Sequence, residues 1–441
     1  MCSAATRSER AHNAQLTAAL SSVPYGGGGG GFLCARVVRA VAVRDVTAGK
    51  SGRHGHPIRW QPGVWTTGSG IFTARRTARG GRVGKVVLVT GAARELGVRF
   101  VRRVQREPDV DRVVAVDAVE PVRGLGAASF VRADIRQPSI GTVLAEHAVD
   151  TVVHLDAQGA GPEGRAAGRA FAKEINVIGA MQLLGACQKA PAVRRLVIKS
   201  TTGVYGSAPR DPTVFDEQTV PGALPASGFA KDAVEVEGYV RGFARRRPDV
   251  AVTVLRFAHI LGPARESPLA ACFAQPVLPT ALGHDPRLQF VHDDDAVEAL
   301  RLAAGEPRAG TVNAGTFNIA GAGVLLLSQC ARRLGLLTVP VPLPALRWGG
   351  GVLRRAGALE LSAEQLRLLT HGRVVSTVRA REVLGFTPRR STQETLAAFA
   401  RERGAGPLPP GLLGGAVDRA AAVLAGARVR PPHRQEAERN D

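Results

Sequence analysis

The chain has 441 residues, 45% of them apolar, enough for one large or two ordinary domains with a substantial core. No apolar run reaches the roughly 18 residues of a membrane-spanning helix. The formal charge of +21 rests on 52 arginines and only 6 lysines; they are scattered without interleaved aromatics, which fits a GC-rich coding bias and argues against a specific nucleic-acid surface.

Five cysteines, Cys2, Cys34, Cys187, Cys272 and Cys330, are far apart and form no C-x-x-C pair. Neither a metal centre nor a disulfide framework is expected, and a reducing compartment, the cytoplasm, is the simplest setting. Residues 1–82 carry a six-glycine run, Gly26–Gly31, and 12 Arg/Lys against 2 Asp/Glu. Leu33–Val43 is interrupted by Arg36 and Arg39 and does not read as a signal peptide. We expect a disordered extension or a start-site artefact here, with the folded chain opening at Val83.

From Lys85 the pattern changes. Lys85–Thr90 (KVVLVT) is a short β-branched run that reads as a strand. Gly91 and Gly97 bracket a turn, a segment with helical apolar spacing follows, and Arg112–Val116 is a second strand closed by Asp117. Strand, glycine turn, helix, strand and acid form the layout of a dinucleotide-binding βαβ unit. Gly91 permits the tight turn and Gly97 close helix–strand packing. Free N–H groups at the helix start face a pyrophosphate, and the acid accepts ribose hydroxyls. Leu96 falls in the same turn, and Arg94 stands where a middle glycine is usual.

Ala128–Ala133 reads as a third strand leading to Asp134 and Ile135, Ile140–His147 as a helix, and Asp150–Leu155 as a fourth strand ending in Asp156 and Ala157. Ala170–Ala190 is a crossover helix, and Arg194–Lys199 a strand running into Ser200, Thr201 and Thr202. Helix Gly228–Arg246, strand Val250–Phe257, strand Leu288–Val291, helix Ala296–Ala304 capped by the acids Asp293–Asp295, and strand Thr316–Ile319 follow. The alternation predicts an α/β fold, a Rossmann-type doubly wound parallel sheet covered on both faces, spanning 83–324, with part of the substrate pocket after 257. Leu325–Arg403, interrupted by the proline-rich Val339–Pro344, reads as a smaller, mostly helical substrate-binding lobe within 325–406. Residues 407–441 read as linker and tail.

Ligands of such sheets lie beyond the carboxyl ends of the strands, which gathers Gly91, Asp117, Asp134, Asp156, Ser200 and Thr201. The Asp117 carboxylate suits a free ribose and repels a 2′-phosphate, so NAD is expected over NADP, although Arg94 could neutralise the pyrophosphate or attract the extra phosphate. Ser200, Thr201 and Thr202 have a plainer reading as caps of local backbone groups. Lys231, near a helix start, calls for a ligand or an acidic partner.

Together these segments resemble the extended short-chain dehydrogenase/reductases of the NAD-dependent epimerase/dehydratase type over about Lys85–Phe399. The resemblance rests on VTGAARELG, ADI at 133–135, VVHLDA at 152–157, NVIGAMQLLGAC at 176–187, KSTTGVYG at 199–206 and FAKDAVE at 229–235, with LRFAHILGP, FVHDDDAVEAL and FNIAG beyond. It implies that Asp134 and Ile135 contact adenine, that Leu155 and Ala157 line the cofactor, and that Asn176 supports the nucleotide pocket. It further implies that Thr201 is the hydroxyl residue at the reacting centre, and that Lys231 holds the nicotinamide ribose. The family expects a tyrosine four residues before that lysine, and Ser227 stands there. Tyr205 and Tyr239 lack the spacing. His259 stands where relatives often carry asparagine and is a candidate to titrate near neutrality.

The resulting expectation is an oxidoreductase or epimerase/dehydratase-like enzyme acting on a small-molecule hydroxyl or carbonyl, with Thr201, Ser227, Lys231 and His259 at the chemistry. The alternatives are a non-catalytic NAD(P)-binding sensor or scaffold, and a hydroxysteroid- or lipid-type dehydrogenase, since no clear second pyrophosphate cluster is present beyond Arg256, Arg265 and Arg287. A homodimer through Ala170–Ala190 and Gly228–Arg246 is a further expectation.

Overall fold

The computed structural model describes residues 84–156, 166–262, 267–275, 277–307, 313–344 and 363–403. The extension 1–82, the linker and tail 407–441, Ala157 and Arg265 lie outside the described residues. In chain order the elements begin with β1 (Lys85–Thr90), α1 (Glu95–Val104), β2 (Val110–Asp117), β3 (Ser129–Arg132), α2 (Ser139–Glu146) and β4 (Thr151–His154). The crossover is α3 (Ala166–Lys173), a π-turn (Glu174–Gly179) and α4 (Ala180–Lys189), followed by β5 (Arg195–Thr201), α5 (Gly228–Arg246) and β6 (Ala251–Phe257). Next come β7 (His259–Leu261), α6 (Pro268–Phe273), β8 (Val277–Ala281), β9 (Arg287–Leu288), β10 (Phe290–His292) and α7 (Asp293–Ala304). The remainder is β11 (Gly315–Ile319), β12 (Leu325–Leu326), α8 (Leu327–Leu334), β13 (Leu337–Val341), α9 (Ala363–His371) and α10 (Thr392–Arg403).

Seven strands form one parallel sheet in the order β11-β6-β5-β4-β1-β2-β3. Side chains alternate across a strand, so each strand feeds two cores. Val87, Val89, Val113, Ala115, Val153 and Val197 pack on one face with α1 and α7, including Phe100, Val101 and Leu300. Leu88, Val114, Val152, Leu196 and Ile198 pack on the other with α2, α4 and α5, including Ile140, Leu183 and Phe243. A third core, with Phe273, Phe290, Leu327, Leu368 and Phe399, joins the C-terminal elements to the segment after β7.

Two details differ from the sequence reading. Val339–Pro344 is not a plain interruption, because β13 pairs in parallel with β8, Pro340 opposite Thr280 and Val339 opposite Pro279. A two-stranded ribbon tolerates proline because each strand has an outer edge that needs no ladder donor. The acids Asp293–Asp295 do not precede α7 but form its first turn; the cap is His292, whose Nδ1 accepts the Asp294 N–H at 3.1 Å.

A charged network crosses the sheet. Glu237 of α5 takes the Ser200 hydroxyl at 2.7 Å and the Arg256 guanidinium at 3.0 and 2.6 Å. Arg256 donates onward to the Tyr205 hydroxyl at 2.8 Å, which donates to Asn318 Oδ1 at 2.9 Å. Burial opposes the Arg256 charge, yet the bonds and charge of Glu237 leave its pKa raised. Removing one member of a buried pair strands the other charge. Glu237→Ala is therefore expected to cost about 3–5 kcal/mol in denaturant unfolding; a loss within experimental error of zero would contradict this account of the network.

Candidate functional site

The carboxyl ends of β1, β2, β4 and β5 meet along one edge, and the turn after β1 shapes it. Gly91 has φ +71°, and a Cβ there would lie 2.7 Å from the Asp156 amide nitrogen. At Gly97 a Cβ would run into the Gly91 carbonyl oxygen. Glycine is thus required at both ends of the turn, by a positive φ and by contact of α1 with β1. Arg94 sits at φ −77°, ψ 155°, extended backbone open to any residue, so the missing glycine leaves the turn intact. The Arg94 side chain leans to Asp156, Nε to Oδ1 at 3.6 Å.

Asp117, half-buried at the end of β2, receives the Ala93 N–H on Oδ2 at 3.0 Å and the Val119 N–H on Oδ1 at 3.1 Å. These bonds fix the carboxylate beside the glycine turn and leave lone pairs for further donors. Leu96 and Leu155 are buried and wall the turn. Asp134 is held by Arg136, whose Nε lies 3.0 Å from both carboxylate oxygens and whose Nη2 lies 2.7 Å from Oδ2. Those bonds are the main reason its pKa is lowered. Ile135 is buried against Gly179, where a Cβ would meet its Cδ1 at 2.6 Å.

Asn176, buried on the π-turn, is tied to the start of α5. Its Nδ2 donates to Asp232 Oδ2 at 2.9 Å, and Arg169 donates to Asp232 Oδ1 at 2.6 Å and to the Gly228 carbonyl at 2.8 Å. The three residues anchor the first turn of α5, and therefore the two positions, Ser227 and Lys231, at and just after its start. Lys231 is exposed, and among the described residues no acid lies within ion-pair distance of it.

Thr201 ends β5, and its Oγ1 accepts the Gly203 N–H at 3.0 Å, so the plainer cap reading holds for it while its side chain stays half-exposed at the edge. Ser227 is the N-cap of α5 but makes no side-chain cap bond. A cavity of about 20 Å³, room for about one water, opens beside it among Gly203, Ser207, Ser227, Glu364, Arg367 and Arg373.

Glu364 and Arg373 carry no local sequence signal of a site, and the reading of the sequence missed both. Arg373 is held there by its own N–H, which donates to the Arg287 carbonyl at 3.0 Å, and by the Val375 N–H, which donates to the side-chain Oε1 of Gln289 at 3.0 Å. Its Nη1 donates to the Gly206 carbonyl at 2.9 Å, and its Nε is buried without a partner. Burial pushes its pKa down to about 10.

His259 corrects one expectation. Its Nδ1 lies 3.0 Å from the Ser267 hydroxyl, and burial together with the Arg373 charge holds its pKa at about 3, so it does not titrate near neutrality. Arg256, named above among arginines that could meet a second pyrophosphate, is engaged instead by the Glu237 carboxylate and the Tyr205 hydroxyl. Arg287 is exposed, on β9. Among the described residues no cluster of three or more His, Cys, Asp or Glu could hold a metal, and no helix is long and apolar enough to cross a membrane.

The family profile of the NAD dependent epimerase/dehydratase family matches residues 87–320. The chain belongs to this family. An uncharacterized protein of Mycobacterium tuberculosis (strain ATCC 25618 / H37Rv) is 49% identical over 329 residues, 74% of this chain and 85% of that protein. A 3-diazoavenalumate denitrifying reductase of a Streptomyces species is 28% identical over 299 residues, 66% of this chain and 86% of that one. Among solved structures, MoeE5 in complex with UDP-glucuronic acid and NAD has TM-score 0.55 and 25% identity, covering 72% of this chain and 98% of its own. The UDP-glucose 4-epimerase of Thermotoga maritima, with TM-score 0.55 and 21% identity over 72% of this chain and 97% of its own, shares the fold.

Two buried imidazoles, His154 and His259, have pKa values lowered by burial. His154, bonded to the Thr90 hydroxyl at 2.7 Å, has its pKa lowered by burial and the nearby Lys199 charge to about 4. Between pH 6.5 and 4 the unfolded chain binds a proton there and the folded chain does not, so stability falls on acidification, by up to about 3 kcal/mol for this residue. Unfolding free energies measured from pH 7 to pH 4 should show this decline, less of it in His154→Gln; an unchanged slope in that variant would contradict the assignment.

Proposed function

We propose that the chain is an NAD-dependent oxidoreductase or epimerase/dehydratase-type enzyme that works on a hydroxyl or carbonyl of a small molecule without the family's tyrosine. The observation that carries the cofactor half is the Gly91–Gly97 turn beside the fixed Asp117 carboxylate. The cofactor is NAD, which when bound supplies hydride acceptance and donation. The start of α1 offers N–H groups to its pyrophosphate, Asp117 takes the adenosine ribose hydroxyls, and Ile135, Leu155 and Leu96 give apolar walls. With Arg94 drawn to Asp156, its charge is partly spent, which supports NAD over NADP.

For the chemical half, Thr201 orients the substrate oxygen, and Lys231, exposed on α5 with no acid in ion-pair distance among the described residues, holds the ribose nearest the reacting carbon. A structural neighbour holds UDP-glucuronic acid together with NAD, which supports a hydroxyl or carbonyl substrate. Ser227, exposed and bonded to no backbone group of its helix, favours a second reading: a protein that binds NAD and senses it without turnover. Exposed Phe171, Ile178 and Met181 on the crossover and Tyr239 on α5 support pairing of two copies through these helices; a monomer mass by light scattering would contradict that.

Calorimetric titration separates the cofactor claim from its rivals. NAD is expected to bind, NADP more weakly, and Asp117→Asn to weaken NAD by about tenfold, the scale of a charged hydrogen bond. Absence of binding by either dinucleotide would overturn both the enzymatic and the sensor readings.

A further inference from the structure

The N-terminus of α5 is capped from an unexpected place. An N-cap serine ordinarily takes the N–H of the third helical residue with its own hydroxyl. Here that N–H, of Ala230, points 3.4 Å to Oε2 of Glu364, the second residue of α9 in the C-terminal lobe. The chain is cleared around this carboxyl by two glycines. Gly228, at φ +79°, has no room for a Cβ beside Oε2. A Cβ on Gly203 would stand 3.3 Å from Oε1 and 3.1 Å from Thr201 Cγ2. The Glu364 carboxyl therefore lies against the same glycine as Thr201 and borders the same cavity as Ser227.

We propose that Glu364 takes and returns the substrate proton at this site, beside Ser227, which stands at the position of the family's tyrosine. The inference rests on the NAD-dependent reading above. In the oxidising direction the substrate C–H leaves with its electron pair to the nicotinamide, the hydroxyl proton passes to the Glu364 carboxylate directly or through one water and Ser227, and a carbonyl forms. The reverse direction returns the hydride and the proton, so atoms and electrons balance with NAD as the oxidant. Ser227 alone has a short reach and a hydroxyl that does not ionise near neutrality, whereas a carboxyl shuttles protons readily.

The surroundings suit that task. Burial raises the Glu364 pKa above the ordinary carboxylate value; Arg373, the Ala230 N–H and Arg169 work against the rise, and Asp232 adds to it. Arg367 also borders the cavity. Arg373, 8% exposed and lining the cavity with an unpartnered Nε, supplies a donor for an oxygen that carries negative charge during the transfer.

The test uses the full chain and the two dinucleotides NAD⁺ and NADH, with dissociation constants measured from pH 5 to pH 8. A cationic nicotinamide near Glu364 favours the carboxylate, and linkage makes the effect reciprocal. NAD⁺ affinity relative to NADH should rise about fivefold across this range in the natural protein. The rise should vanish in Glu364→Gln and return in part in Glu364→Asp. His154 and His259, with pKa values of about 4 and about 3, stay neutral in this window and do not mimic the effect. A flat ratio in the natural protein, or the same rise in Glu364→Gln, would overturn the assignment while leaving cofactor binding intact. Failure of both dinucleotides to bind would overturn the NAD reading and this inference with it.

Discussion

The contact on which the site depends is the one between the start of α1 and the end of β1. Gly97 packs on the Gly91 carbonyl so closely that a methyl group has no place. Gly91 in turn presses on the backbone of Asp156. Those two approaches bring the end of β4 to the helix start and leave the α1 amides facing outward. A side chain at either glycine would push the helix from the sheet, and the edge would lose its anion-binding end. Asp117 completes the arrangement, because its bonds to Ala93 and Val119 tie β2 to the same turn.

Much of this was legible along the chain because it is local. The strand run Lys85–Thr90, the two glycines and Asp117 lie within one βαβ unit, and the alternation of apolar residues dictates which face each side chain meets. The long helix Gly228–Arg246 begins and ends where its pattern places it. The π-turn at Glu174–Gly179 was hidden, since a run of apolar residues at helical spacing does not reveal one extra residue in a turn. β8 and β13 were hidden as well, because they pair with each other across 55 intervening positions, between 281 and 337.

The site divides the same way. The edge at the glycine turn follows from neighbours in sequence, but the end at Thr201 and Ser227 is assembled from distant segments. Glu364 reads as an acid in the first turn of a helix, a common placement that says nothing of a partner. Only the fold sets it at the head of α5, more than a hundred residues away in sequence. His259 and Arg256 illustrate the reverse case. Each looked available as a residue type, and each is committed by burial: the imidazole to a neutral form beside Arg373, the guanidinium to Glu237. Availability is a property of the environment, and the sequence does not display it.

The buried charges also explain how a departure at one position can be absorbed. Arg169, Asn176 and Asp232 hold the first turn of α5 without help from the Ser227 side chain, so the start of that helix stays in place with serine at 227, beside the cavity that Glu364 borders. The central claim is that NAD lies along the edge that the glycine turn creates. A crystal structure with NAD bound tests it most directly. The account predicts the pyrophosphate at the start of α1, the adenosine ribose hydroxyls on Asp117 and the nicotinamide end towards Thr201 and Lys231. A dinucleotide bound elsewhere, or a ribose turned away from Asp117, would contradict it.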